Sequence, residues 1–118
     1  MVGRTLARKW PRPTVARLAK RDGGHCAHCG ATSALVVQHR ANRGMGGDLS
    51  RDRPSNTIIL CWAFNDIIER DAEAAEYARA YGWKLRSTDD PERVPYLDVL
   101  TGWWLLLADD GLPGVRVA

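Results

Sequence analysis

No apolar run in this sequence approaches the roughly 20 residues needed to span a bilayer. The longest candidate, GWWLLLA from Gly102 to Ala108, is strand-length, so a membrane-spanning helix is excluded and no membrane partner is expected. The opening residues, MVGRTLARKWPRP, are basic but lack an apolar h-region. They do not read as a secretory signal, and the cytoplasm is the expected compartment. Cysteine is scarce. There are three, an odd number, and two of them sit in a Cys-x-x-Cys, which argues against a disulfide framework and towards metal binding. Internal repeats and low-complexity segments are absent.

What is present fits one domain with one modest core: 118 residues, 45% hydrophobic and 26% charged,. The net charge of +3 is unevenly spread. Arg4, Arg8, Lys9, Arg12, Arg17, Lys20 and Arg21 crowd the first fifth of the chain, whereas the stretch from Asp66 to Glu76 is acidic. A basic arm on a small domain is an electrostatic footprint for a polyanion, nucleic acid first among them. The plainer reading is a solvated surface.

Residues 1–13 read as an irregular basic arm, with Pro11 and Pro13 opposing helix. Thr14 is placed to cap a short helix, VARLAKRD, ended by Gly23-Gly24. A knuckle, HCAHCG, leads into a β-branched run from Leu35 to Val37, the first strand. ANRGMGGDLSRDRPSN is a long polar loop of the kind that is more often functional than idle, and TIILC is a second strand. From Ala63 the period becomes helical, with Ile67, Ile68, Ala72, Ala75 and Ala78 on one face, until Gly82. YLDVL and WWLLL flank Thr101-Gly102 and predict a terminal hairpin. The fold class expected is α+β, with a segment over 87–118 packed on the domain formed by 14–86.

Cys26 and Cys29 form the knuckle, His25 precedes it and His28 lies inside it. Cys61 ends the second strand. A second knuckle would complete a tetrahedral thiolate zinc site, which substitutes for a large core in a small domain. It is incomplete, because the residue three after Cys61 is Phe64. Three thiolates with His25 or His28 still suffice for zinc; the alternative is three free, buried cysteines with Phe64 filling space.

His39 ends the first strand. Alone it would be a polar residue at a strand end. Its company is more specific: Cys-x-x-Cys, strand, HRANRGMGG, Asn56, a strand with Cys61, then Asn65 opening a helix. This order resembles the HNH endonuclease family, the ββα-metal nucleases. More narrowly it is similar to the HNH proteins of actinobacterial phages, with their HR…RGMGG…N…LC pattern. The match covers roughly Lys20 to Lys84, and the terminal segment is similar too.

The resemblance implies a ββα-metal core, stapled by zinc or not, with an N-terminal helix and a C-terminal hairpin. It implies DNA as partner, phage packaging machinery or homing as setting, and the host cytoplasm as location. His39 corresponds to the general base; a neutral imidazole can take a proton from water near neutral pH, which Arg or Lys cannot. Asn56 corresponds to the middle residue that braces the loop and holds the His tautomer. Asn65 corresponds to a ligand of a hard cation, Mg²⁺ or Mn²⁺ with Ni²⁺ or Zn²⁺ as alternatives, that offsets charge on the phosphate. Gln38 stands where the family often has a charged or imidazole ligand, so Glu69, one turn after Asn65, is a further metal candidate. For both Gln38 and His39 to reach one site, one of them must be turned at the strand end. Arg40 and Arg43 are expected to meet phosphate, their bland alternative being ion pairs with Asp48 or Asp52. Trp62, Trp83, Trp103 and Trp104 are expected to cover the core, with Trp10 free to stack on a base. Two other classes remain beside the nuclease: a DNA-binding module with a degenerate site, and a protein-interaction factor gripping an acidic partner.

Overall fold

The β-branched segments Leu35–His39 (β1) and Thr57–Cys61 (β2) pair antiparallel, with Leu35 opposite Cys61 and His39 opposite Thr57. This is the computed structural model of the chain, which describes residues 10–42 and 49–117. Before the pair comes helix α1, Arg12–Arg21, and after it α2, Trp62–Arg70, and α3, Ala72–Ala80. A second antiparallel sheet, β3-β4-β5, follows with Tyr96–Asp98, Trp103–Leu106 and Val115–Val117. The molecule is α+β, with three α-helices and two small sheets among the described residues. No helix there is long and apolar enough to cross a membrane.

Four expectations change. Helix α1 starts at Arg12, not after a Thr14 cap: Pro11 is the N-cap residue and Pro13 lies in the first turn, where an absent N–H leaves no bond unmade. The helix expected from Ala63 until Gly82 is two helices. Asp71 leaves the helical region (φ −124°, ψ 120°) and its carboxylate accepts from the Ala74 N–H at 2.9 Å, so a new N-cap interrupts an otherwise continuous apolar face. The terminal hairpin gains a third strand, Val115–Val117, along β4. Of the four tryptophans assigned to the core only Trp83 is buried; Trp62, Trp103 and Trp104 are exposed, and Arg116 lies 4.8 Å over the Trp103 ring.

The core gathers Ile58 and Leu60 from β2, Phe64 and Ile68 from α2, Ala78 from α3, then Trp83, Tyr96 and Leu107. Helix α2 therefore lies against the β1–β2 pair. Gly82 (φ +76°) makes the turn out of α3, and a Cβ there would meet the Pro95 carbonyl oxygen; no other residue fits. Arg21, counted above in the basic arm, is spent inside the fold. Its guanidinium binds Asp22 at 2.7 and 3.0 Å and the carbonyls of Pro54 and Thr57 at 2.8 Å each.

Candidate functional site

β1 keeps its alternation to the last residue, so Gln38 and His39 leave it on opposite sides and neither is turned,. His39 Nε2 lies 2.7 Å from Asp52 Oδ1, in the 3₁₀ turn Leu49–Asp52. A carboxylate only accepts, so this bond places the ring proton on Nε2 and the lone pair on Nδ1. The ring is 5.1 Å from that of Trp10, whose buried indole Nε1 has no partner. Trp10 and Asp52 line a cleft of about 320 Å³ together with Thr14, Arg17, Leu18 and Pro54. Arg12, Arg17 and Lys20 are exposed on α1, and of these Arg17 lines the cleft. The imidazole thus sits beside a cleft lined by one arginine, Arg17, and two carboxylates, Asp52 and Asp110, rather than in the apolar interior.

On the other side of β1, Gln38 Nε2 donates to Glu69 Oε2 at 2.6 Å. The Lys84 ammonium, only 8% exposed, lies 3.3 Å from that oxygen and 3.2 Å from Asn42 Oδ1. Asn65 is one turn before Glu69, on the same face of α2. Its Oδ1 is buried with no hydrogen-bond partner. A buried amide oxygen without a donor is uncommon and suits a cation. Gln38, Asn65 and Glu69 carry oxygen donors of the kind a hard divalent ion takes, but Gln38 meets Glu69 through its nitrogen and Lys84 already supplies one positive charge there.

Asn56 is fully buried and ties the end of β1 to the turn carrying Asp52. Its Oδ1 accepts from the Ala41 N–H at 2.8 Å, and its Nδ2 donates to the carbonyls of Ala41 at 3.0 Å and Arg51 at 2.8 Å. Arg40 is not a phosphate contact. Its side chain is 0% exposed and donates to the carbonyls of Gly82, Ser55, Pro91 and Val94 at 2.6–3.2 Å. Burial lowers its pKa to about 10, still cationic near neutrality. Arg43, like Asp48, lies outside the described residues.

The second centre is the knuckle. The Cys26 amide donates to the Ala31 carbonyl at 2.8 Å, and the Ala27 amide to Ile59 at 3.1 Å, which pins the loop to β2. Ligand atoms of Cys26, His28 and Cys29 all lie within 4.8 Å of one another, so this cluster can hold a metal ion. Cys61 Sγ is 3.9 Å from Cys29 Sγ and accepts from the Phe64 N–H, capping α2. Burial pushes the Cys26 thiol up to about 11, against backbone donors from Cys61, Cys29 and His28. The Ala31 amide leads in drawing Cys29 down.

His25 belongs elsewhere. Its Nε2 is 2.8 Å from Asp98 Oδ1 of β3, and its Nδ1 faces the Gly23 carbonyl at 3.2 Å. Burial alone would lower its pKa, but the Asp98 bond and the Gly23 carbonyl outweigh that and hold it above 6.5. A raised folded pKa contributes stability that is full below the unfolded pKa, about 6.5, and fades as pH rises through the folded value. Urea titrations of the protein and its His25→Gln variant should therefore differ most below about pH 6.5 and converge above the folded pKa. A pH-independent difference would show that the pair does not titrate.

Asp52 and Lys84 were missed as site residues. Asp52 lies in a polar loop that offers no periodicity, and Lys84 reads as ordinary surface. No family model, curated protein or solved structure matches this chain.

Proposed function

We propose that the chain is a metal-dependent DNA endonuclease or nickase of the HNH, ββα-metal type. The observation that carries this is the His39–Asp52 pair at the rim of the Trp10/Arg17 cleft. A water molecule there gives a proton to the His39 imidazole as its oxygen bonds to phosphorus and the P–O3′ bond breaks, the departing oxygen taking a proton from solvent, while Asp52 steadies the imidazolium that forms. Arg12, Arg17 and Lys20 draw the DNA backbone towards the cleft, and Trp10 offers a face for stacking. Asn56 keeps the Asp52 turn against the end of β1. Asn65, Gln38 and Glu69 would hold a divalent ion on the face of β1 opposite His39, where it would add positive charge for the DNA backbone,. A zinc ion at the cysteine cluster serves as a structural staple. The sequence resemblance to actinobacterial phage HNH proteins supports the same reading and suggests work beside phage DNA packaging or in homing.

A second reading, a DNA-binding module with an inactive site, is favoured by one feature. The oxygen donors and His39 leave β1 on opposite sides, and Lys84 already compensates Glu69. Incubating supercoiled plasmid with the protein and Mg²⁺, Mn²⁺, Ni²⁺ or Zn²⁺ separates the two. The nuclease reading expects metal-dependent conversion to nicked circles; salt-sensitive binding without conversion supports the second. Glu69→Ala should weaken Mn²⁺ binding by about 10–100-fold in titrations followed by electron paramagnetic resonance. Unchanged Mn²⁺ affinity would remove Glu69 from the site.

A further inference from the structure

We infer that His28 is the fourth ligand of one tetrahedral zinc site with Cys26, Cys29 and Cys61. This rests on the zinc reading above and is independent of whether the chain cuts DNA. Zinc with Zn–S bonds of about 2.3 Å separates its sulfurs by about 3.8 Å. Cys29 and Cys61 already stand at 3.9 Å, and Cys26 and His28 are within 4.8 Å of Cys29. Cys61 stands outside the group of three that lie within 4.8 Å of one another, so closing the tetrahedron moves its thiol, which already meets Cys29, in towards Cys26 and His28.

Two histidines flank this sulfur cluster, and their surroundings choose between them. Both ring nitrogens of His25 are engaged, by Asp98 and Gly23. His28 Nδ1 is buried and has no partner, a state that costs about 1–3 kcal/mol if nothing fills it. The ring is also held in place. Phe64 stacks on it face to face at 3.7 Å and 7°, and Trp83 meets it edge-on at 5.0 Å and 84°.

Phe64 occupies the position that would complete a second Cys-x-x-Cys after Cys61. Its ring gives no ligand but clamps the imidazole that does, so the substitution and the histidine form one device. A backbone N–H adds to the shell: that of Phe64 reaches Cys61 Sγ at 3.4 Å. N–H···S bonds favour thiolates. Three soft sulfurs and one imidazole select zinc over Mg²⁺ or Mn²⁺, so this site does not compete with an oxygen-lined one. It joins the knuckle to the first turn of α2, the helix that carries Asn65 and Glu69.

Zinc-edge X-ray absorption on the full-length wild-type protein, reconstituted with one equivalent of zinc, tests this without any variant. The expected first shell is three sulfurs and one nitrogen, with the outer-shell scattering of an imidazole ring. In parallel, His28→Ala should weaken zinc binding at least about 10-fold in competition with a chromophoric chelator, while His25→Gln leaves it unchanged. Adding Phe64→Cys to His28→Ala should restore binding with a four-sulfur shell. A wild-type shell without imidazole, or His28→Ala binding zinc at wild-type affinity, overturns the assignment of His28 while leaving a zinc site. Failure of the wild-type protein to bind zinc overturns both.

Discussion

Arg40→Met lowers the unfolding free energy by about 3–5 kcal/mol, and thermal or urea melts against wild type measure it. The side chain is 0% exposed and donates to four carbonyls drawn from three separate parts of the chain: Gly82 after α3, Ser55 before β2, and Pro91 and Val94 before β3. Methionine matches the length of the stem but supplies no donor. Each buried carbonyl left unpaired costs about 1–3 kcal/mol, and neighbouring losses are less than additive. Arg40→Lys should fare nearly as badly, because one compact ammonium cannot reproduce a planar fork reaching four oxygens. Arg17→Met, on the exposed face of α1, should stay within about 0.5 kcal/mol of wild type. A loss under about 1 kcal/mol for Arg40→Met would mean that water replaces the guanidinium and that the fold does not hinge on it.

The second large effect is chemical. His39→Ala should reduce metal-dependent DNA cleavage by at least about 100-fold, the usual contribution of a positioned general base. Circular dichroism of the variant separates this loss from a loss of fold. Asp52→Asn should lower cleavage by about 10–100-fold, because an amide in its place can present its N–H₂ to Nε2 and leave the proton on the wrong nitrogen. That effect acts through His39. Asp52→Asn should therefore add little to the loss already caused by His39→Ala, whereas a loss of loop structure would lower the double variant further.

Much of the framework was legible locally. The runs LVV and TIIL have the β-branched composition of strands, and the α2/α3 apolar period was plain. What escaped were competing local signals. Asp71 carried an N-cap that the helical period masked, and Pro13 looked like a breaker although the first turn tolerates it. β5 is too short, after LPG, to show alternation. The site divided in the same way. Residue order pointed to His39, Asn56, Asn65 and the cysteines, because those side chains are set by the strand pair and the turn into α2. Arg40 was misread because arginine is usually exposed, and its partners are backbone oxygens up to 54 positions away. Such contacts leave no mark in composition or spacing. His25 and His28 were equivalent on paper; only Asp98, brought over from β3, and the Phe64 stack distinguish them.

The most direct measurement is single-turnover nicking of supercoiled plasmid by wild type and His39→Ala, at equal DNA occupancy, with Mn²⁺ and with chelator. The account predicts conversion by wild type with the metal, none with chelator, and at least about 100-fold slower conversion by the variant. Equal rates for the two proteins, or no metal-dependent nicking by wild type, would contradict it.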